Sequence, residues 1–195
     1  MYLTHEWDPD VPVAETLGTL GELVAEGKIG AVGVSNVDGA QLAEALAAGG
    51  ARPGWVQNGY SLLERADERE VFPLCAEHGL GFTPFSPLAG GWLTGKYRRG
   101  QEAPEGSRMT MRPEPYEHFL EDGRVWDALE GLEALAQERG TTMSALAIGW
   151  LLGEPRVTAV VTGARRPAQL AEPLKALAEP LSADDHARLS ALFKR

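Results

Sequence analysis

Ser86-Pro87-Leu88-Ala89-Gly90-Gly91 follows directly on the apolar run Leu80 to Phe85, and Gly163-Ala164-Arg165-Arg166 follows on a second such run, Val157 to Thr162. Small residues at a strand end let backbone N–H groups approach an anion closely. In a barrel of parallel strands, the C-terminal ends of the last strands are where a phosphate site is expected. The other parallel architecture, the doubly wound layer, carries its phosphate turn as Gly-x-Gly-x-x-Gly, and that pattern is absent from this sequence. The two turns therefore favour the barrel.

Working outward, apolar and β-prone runs begin near Tyr2, Ile29, Trp55 and Leu80, which are 27, 26 and 25 residues apart. A helix-like segment follows each of the first three, which is the period of a βα unit and implies a parallel sheet. The first helix opens at Pro12, buries Val13, Leu17, Leu20 and Val24, and closes at Gly27. Asp38 stands three residues before Gln41, a capping box for a helix burying Leu42, Ala45 and Leu46. A third helix is read around Val71 to His78, ending at Gly79. From Pro87 to about Asp122 the pattern gives way to a Gly, Pro and Arg rich excursion, the mark of a functional or disordered loop. Helical spacing returns at Val125, Leu129 and Leu132, and again from a Thr142 cap through Leu146, Ala147 and Trp150. Val157 to Thr162 is read as a fifth strand, before a helix that opens near Pro167 and turns Leu170, Leu174 and Leu177 inward. Ser182 caps a last helix carrying Leu189 and Leu192. Five units are too few to close eight strands. The expected fold is an α/β, partial (β/α)8 TIM barrel of five parallel strands, in one domain over residues 1–195.

Composition narrows the function. A formal charge of −10 argues against a nucleic-acid or anionic-membrane surface, since either needs a net basic face, so phosphate binding must be local. A single cysteine, Cys75, excludes an intramolecular disulfide and a thiolate metal cluster, and fits a reducing cytoplasm. No apolar run approaches 18 residues. The expected localisation is cytoplasmic. Among His78, His118 and His186 there is no ligand-like spacing, so no metal site is expected.

Six stretches carry a family resemblance. They are Tyr2 to Pro9, Gly27-Lys28-Ile29, Gly33-Val34-Ser35-Asn36, Gln57 through Leu63, Ser86 through Tyr97, and Gly163 through Glu172. In this order they resemble aldo-keto reductases over essentially the whole chain. The resemblance implies that the chain corresponds to strand four through the C-terminal helices of that family's barrel. The first three βα units would then have no counterpart here. It implies His5 as the catalytic histidine, donating a hydrogen bond to a substrate carbonyl oxygen. Ser35, Asn36 and Gln57 are implied to face the nicotinamide carboxamide, and Ser86, Leu88 and Gly90 to cradle the pyrophosphate. Gly163, Arg165, Arg166, Gln169 and Glu172 are implied to serve the adenosine end, with the arginine pair suited to the 2′-phosphate of NADP(H). Pro173 departs from the family pattern, which has an asparagine there. The family's tyrosine acid, aspartate and lysine have no match in this sequence.

Other residues carry two readings each. Asn36 fits a turn as well as a carboxamide contact, and His5 a strand-end residue satisfied by backbone. Lys96 and Arg98 fit a lid over the pyrophosphate or plain solvated charge. Trp7 and Trp92 fit an apolar pocket wall or buried packing, and Tyr60 fits wall or core or, as the resemblance implies, a ring stacked on the nicotinamide; Cys75 alone has a single reading, a small core residue. Two functions follow. One is an NADPH-dependent oxidoreductase reducing aldehydes or ketones to alcohols, inactive as these 195 residues alone. The other is a non-catalytic half-barrel binding a nucleotide or protein partner. Self-association through open barrel edges is expected in either case.

Overall fold

The computed structural model describes residues 1–164 and 166–194, with the side chain of Glu172 also outside that description. The chain divides into two compact units. The first comprises Met1–Tyr60, Arg65–Phe85 and Arg156–Ala159; the second comprises Ser61–Glu64, Ser86–Pro155 and Val160–Arg195.

The first unit is built on a parallel sheet in the order β1 (Tyr2–Leu3), β2 (Val32–Ser35), β3 (Trp55–Gln57) and β4 (Gly81–Phe82). Register is continuous across it, with Leu3 beside Gly33, Gly33 beside Trp55, and Trp55 beside Gly81. Each crossover is a helix: α1 (Val13–Ala25), α2 (Gly39–Ala47) and α3 (Asp67–His78). The caps lie where the sequence puts them. Pro12 precedes α1, Asp38 and Gln41 form a reciprocal capping box on α2, and Gly79 ends α3 in the left-handed conformation. Leu17, Leu20, Val32 and Ala45 form one core cluster, with Trp7 packed at its margin. Tyr60, Phe72 and Phe82 are fully buried and meet edge to face, with Phe72 and Phe82 centroids 4.7 Å apart.

Val24, expected inward on α1, is 38% exposed, and two larger expectations also fail. The sheet has four strands among the described residues, not five, because Val157 to Thr162 makes only one backbone bond to it, from Thr158 N–H to the Phe82 carbonyl (2.8 Å). The return bond from Phe82 N–H goes to the Thr158 hydroxyl (3.1 Å) rather than to a backbone carbonyl. A side chain in place of the carbonyl stops the ladder from propagating.

The second unit is helical, with α4 (Arg108–Met111), α5 (Gly123–Glu138), α6 (Met143–Leu152), α7 (Ala171–Ala178) and α8 (Ala183–Leu192). The excursion after Pro87 is folded, with 3₁₀ segments at Ala89–Thr94 and Glu117–Phe119 flanking α4. Thr142 and Ser182 cap α6 and α8 as the sequence predicts. Trp150 donates through Nε1 to the Ser190 hydroxyl at 2.8 Å, tying α6 to α8.

The second failed expectation is the inward face of α7. Leu170, Leu174 and Leu177 are 39%, 62% and 63% exposed, whereas Ala176 is buried. Pro173 and Ala176 form the inward stripe, and small residues there allow a close approach to α6 that leucines would prevent. A 3₁₀ turn, Pro167–Leu170, also separates the Gly163 motif from α7.

Candidate functional site

Parallel pairing brings the C-terminal ends of adjacent strands side by side, so residues that end β1, β2 and β3 become neighbours. Asn36 sits just past β2 with φ 54°, a left-handed conformation that asparagine tolerates better than most residues. From there its Nδ2 donates to the His5 carbonyl (2.8 Å) and lies 3.3 Å from the Ser35 hydroxyl. Ser35 is buried and donates through Oγ to the Gln57 carbonyl (2.6 Å), and Asn36 N–H donates to the same oxygen (3.2 Å). His5, Ser35, Asn36 and Gln57 are thus one hydrogen-bonded cluster within the first unit.

The bonds sort the cluster into holders and free groups. Ser35 and the Asn36 amine are holders. The His5 side chain is exposed and makes no hydrogen bond among the described residues. Backbone satisfaction of the imidazole, the alternative open from sequence, is therefore not its arrangement. Two residues not singled out from sequence complete the support. Thr83, buried beside β4, accepts from Trp55 Nε1 (2.9 Å) and Gln57 Nε2 (3.4 Å). Asn58 clasps Val37 through both its amide atoms, at 3.1 and 2.7 Å, and fixes the chain as it leaves Asn36.

The second unit holds the Ser86 to Gly91 turn. Ser86, Ala89, Gly90 and Gly91 all have positive φ, at 52°, 46°, 62° and 101°. Such a run folds the chain tightly, with Ala89 N–H donating to Ser86 O and Gly91 N–H to Leu88 O, both at 2.8 Å. The Leu88 N–H has no acceptor among the described residues. The Lys96 side chain lies across Gly91 where a Cβ would otherwise be, its ammonium 4.9 Å from the Tyr97 ring centre. An unused N–H, a hydroxyl and an ammonium around one tight turn suit a phosphate anion.

Other candidates resolve differently. Arg98 pairs with Glu133, which holds that carboxyl below the usual carboxylate value, and Arg99 pairs with Asp127 and Glu130. Arg98 is thus an anchor of its loop on α5. Trp92 is fully buried against Tyr97, Phe119 and Trp126, so it is packing and not a pocket wall. Tyr60 is core, its hydroxyl donating to Glu68 (2.8 Å). Gly163, Arg166 and Gln169 are exposed, and Arg166 N–H donates to Gln169 Oε1 (3.1 Å). Arg165 and the Glu172 side chain lie outside the described residues. Among the described residues, no group of three or more His, Cys, Asp or Glu is placed to hold a metal ion, and no helix is long and apolar enough to cross a membrane.

A parallel sheet with helical crossovers, and polar residues gathered at its strand ends, define an α/β protein of the kind that binds ligands at those ends. The sequence model described as the Aldo/keto reductase family matches residues 1–194, and the chain belongs to that family. It is 36% identical over 189 residues to an Escherichia coli K12 protein named "NADH-specific methylglyoxal reductase", covering 95% of this chain and 56% of that protein. It is 35% identical over 181 residues to an Arabidopsis thaliana protein named "Probable voltage-gated potassium channel subunit beta", covering 89% of this chain and 54% of that one. Among solved structures, the thermostable aldo-keto reductase Tm1743, in complex with the inhibitor epalrestat, superposes with a TM-score of 0.73 at 28% identity, over 98% of this chain and 58% of that one. The chain spans little more than half the length of these relatives.

Proposed function

We propose that this chain serves an oxidoreductase that reduces aldehydes or ketones to alcohols, with a nicotinamide cofactor supplying hydride. The observation that carries the reading is the bonded cluster of His5, Ser35, Asn36 and Gln57, which leaves the His5 imidazole exposed and unbonded while fixing its backbone. His5 donates an imidazole N–H to the carbonyl oxygen and stabilises the charge that develops there. The Asn36 and Gln57 side-chain oxygens are acceptors for a carboxamide, and Ser35 holds the strand ends in register. Ser86, Leu88 and Gly90 receive phosphate oxygens, with Lys96 adding positive charge.

We assign NADP(H) as the preferred cofactor and the cytoplasm as the compartment. Arg166 is exposed and has no ion pair among the described residues, so its guanidinium is available to a 2′-phosphate, and Arg165 stands next to it in sequence. The Escherichia coli relative's name points to the other cofactor, which makes the preference a direct test. Fluorescence titration with NADPH and NADH should favour NADPH, and Arg166→Ala should remove most of the difference, about tenfold in affinity. Equal affinities in the parent would exclude the NADP(H) assignment. In the protein that carries this sequence, His5→Ala should lower turnover of a nitrobenzaldehyde by about 100-fold with cofactor affinity retained. Unchanged turnover would remove His5 from the chemistry. Dinucleotide binding with no reduction of any carbonyl would favour a nucleotide-binding role instead.

A further inference from the structure

Tyr116, in the loop that follows the Ser86 to Gly91 turn, makes two separate contacts with that turn. Its hydroxyl donates to Ser86 Oγ at 3.0 Å. Its ring occupies the space that a Cβ on Gly90 would need. Tyr116 is itself 8% exposed and held from behind, since its N–H donates to the Pro113 carbonyl (2.7 Å) and its ring packs toward Phe119, 6.3 Å between centroids. Phe119 in turn meets the buried Trp92 edge to face.

From this geometry we propose that Tyr116 is a positioning residue for anion binding, acting through Ser86. The proposal rests on the phosphate reading of the turn given above. Ser86 has φ 52°, a conformation that a serine does not hold without support, and Ala89 is left-handed as well. The Tyr116 ring supplies support at Gly90 and its hydroxyl supplies it at Ser86.

The hydroxyl also sets the direction of hydrogen bonding. A fully ionised phosphate oxygen only accepts, so Ser86 must donate its own proton to the anion. It is then free to accept one from Tyr116. The chain Tyr116 O–H to Ser86 O–H to anion has every donor and acceptor matched, and each bond strengthens the next. Among the described residues, Ser86 Oγ donates to no protein group, so its proton is available. Because the ligand is reached only through Ser86, the effect of Tyr116 belongs to binding and not to the chemical step.

The test is a double-mutant cycle of Tyr116→Phe, Ser86→Ala and both together, read by calorimetric or fluorescence titration with NADPH, inorganic pyrophosphate and adenosine 2′-monophosphate. Tyr116→Phe keeps the ring against Gly90 and removes only the hydroxyl, and a thermal melt checks that the fold is unchanged. Each single variant should weaken NADPH and pyrophosphate binding about five- to tenfold, with adenosine 2′-monophosphate unaffected. The double variant should bind no more weakly than Ser86→Ala alone. Parent-like binding by Tyr116→Phe, or losses in the double variant that multiply, would overturn the relay. A parent chain that binds neither NADPH nor pyrophosphate would instead overturn the phosphate reading of the turn, and the relay with it.

Discussion

The Cys75 thiol lies within α3 at 4% exposure, and burial first, then the negative charge of Asp67, pushes its pKa up to about 11. A thiol held protonated is a poor nucleophile and a poor metal ligand. Iodoacetamide at pH 8 should therefore leave native protein unmodified over the time in which denaturant-unfolded protein reacts fully. Rapid labelling of the native state would show that α3 opens readily. The contrast with His5 is one of position. Both residues are chemically capable, and only the one beyond a strand end is exposed.

At the scale of elements, α7 offers a paired test of which face is inward. Ala176→Leu should destabilise by about 1–3 kcal/mol, because it overfills a close approach to α6. Leu174→Gln should stay within about 0.5 kcal/mol, because that side chain is already 62% exposed. Denaturant melts of the two variants measure both, and the reverse ranking would restore the inward leucines. The sequence made its caps legible because a cap is a local bond: Asp38 with Gln41, Thr142 with Ala145 and Ser182 with Asp185 need nothing beyond four consecutive residues. The face of α7 was not legible, because apolar spacing cannot say whether a neighbour accepts a leucine or demands an alanine. The fifth strand failed for a related reason. Val157 to Thr162 has strand composition, and the outcome turned on the Thr158 hydroxyl taking a bond from Phe82, a residue 76 positions away in sequence. His5, Asn36 and Gln57 were legible as candidates from motif order. Thr83, Asn58 and Tyr116 were not, since each acts through a partner that only folding supplies.

For the whole molecule, pH is the informative variable. Burial raises the Glu68 carboxyl, and hydrogen bonds from Arg65 and Tyr60, with the charges of Arg65 and Arg156, outweigh it and bring the group below its ordinary value of 4.5. Arg98 lowers Glu133 and Arg188 lowers Glu138 in the same direction. A carboxyl depressed by folding contributes stability that is fully present above its unfolded value and is lost as pH falls through the folded one. Melting temperature should therefore hold above about pH 5 and decline as pH falls below the ordinary carboxylate value. Glu68→Gln should flatten part of that decline, and an unaltered profile would mean that the Arg65 pair adds nothing.

The burial of Trp92 has an optical side. Its ring centre lies 5.0 Å from that of Trp126 and 5.1 Å from that of Tyr97, and its Nε1 hydrogen has no acceptor among the described residues. Indoles this close share their excited states, which splits the far-ultraviolet circular dichroism into paired bands of opposite sign. An indole without an acceptor also emits to the blue of a solvated one. Trp92 belongs to the 3₁₀ segment after the Ser86 turn and Trp126 to α5, so both signals exist only while that segment stays docked on that helix. The chain therefore carries a built-in chromophore pair that reports the docking of its own loop, with no label attached.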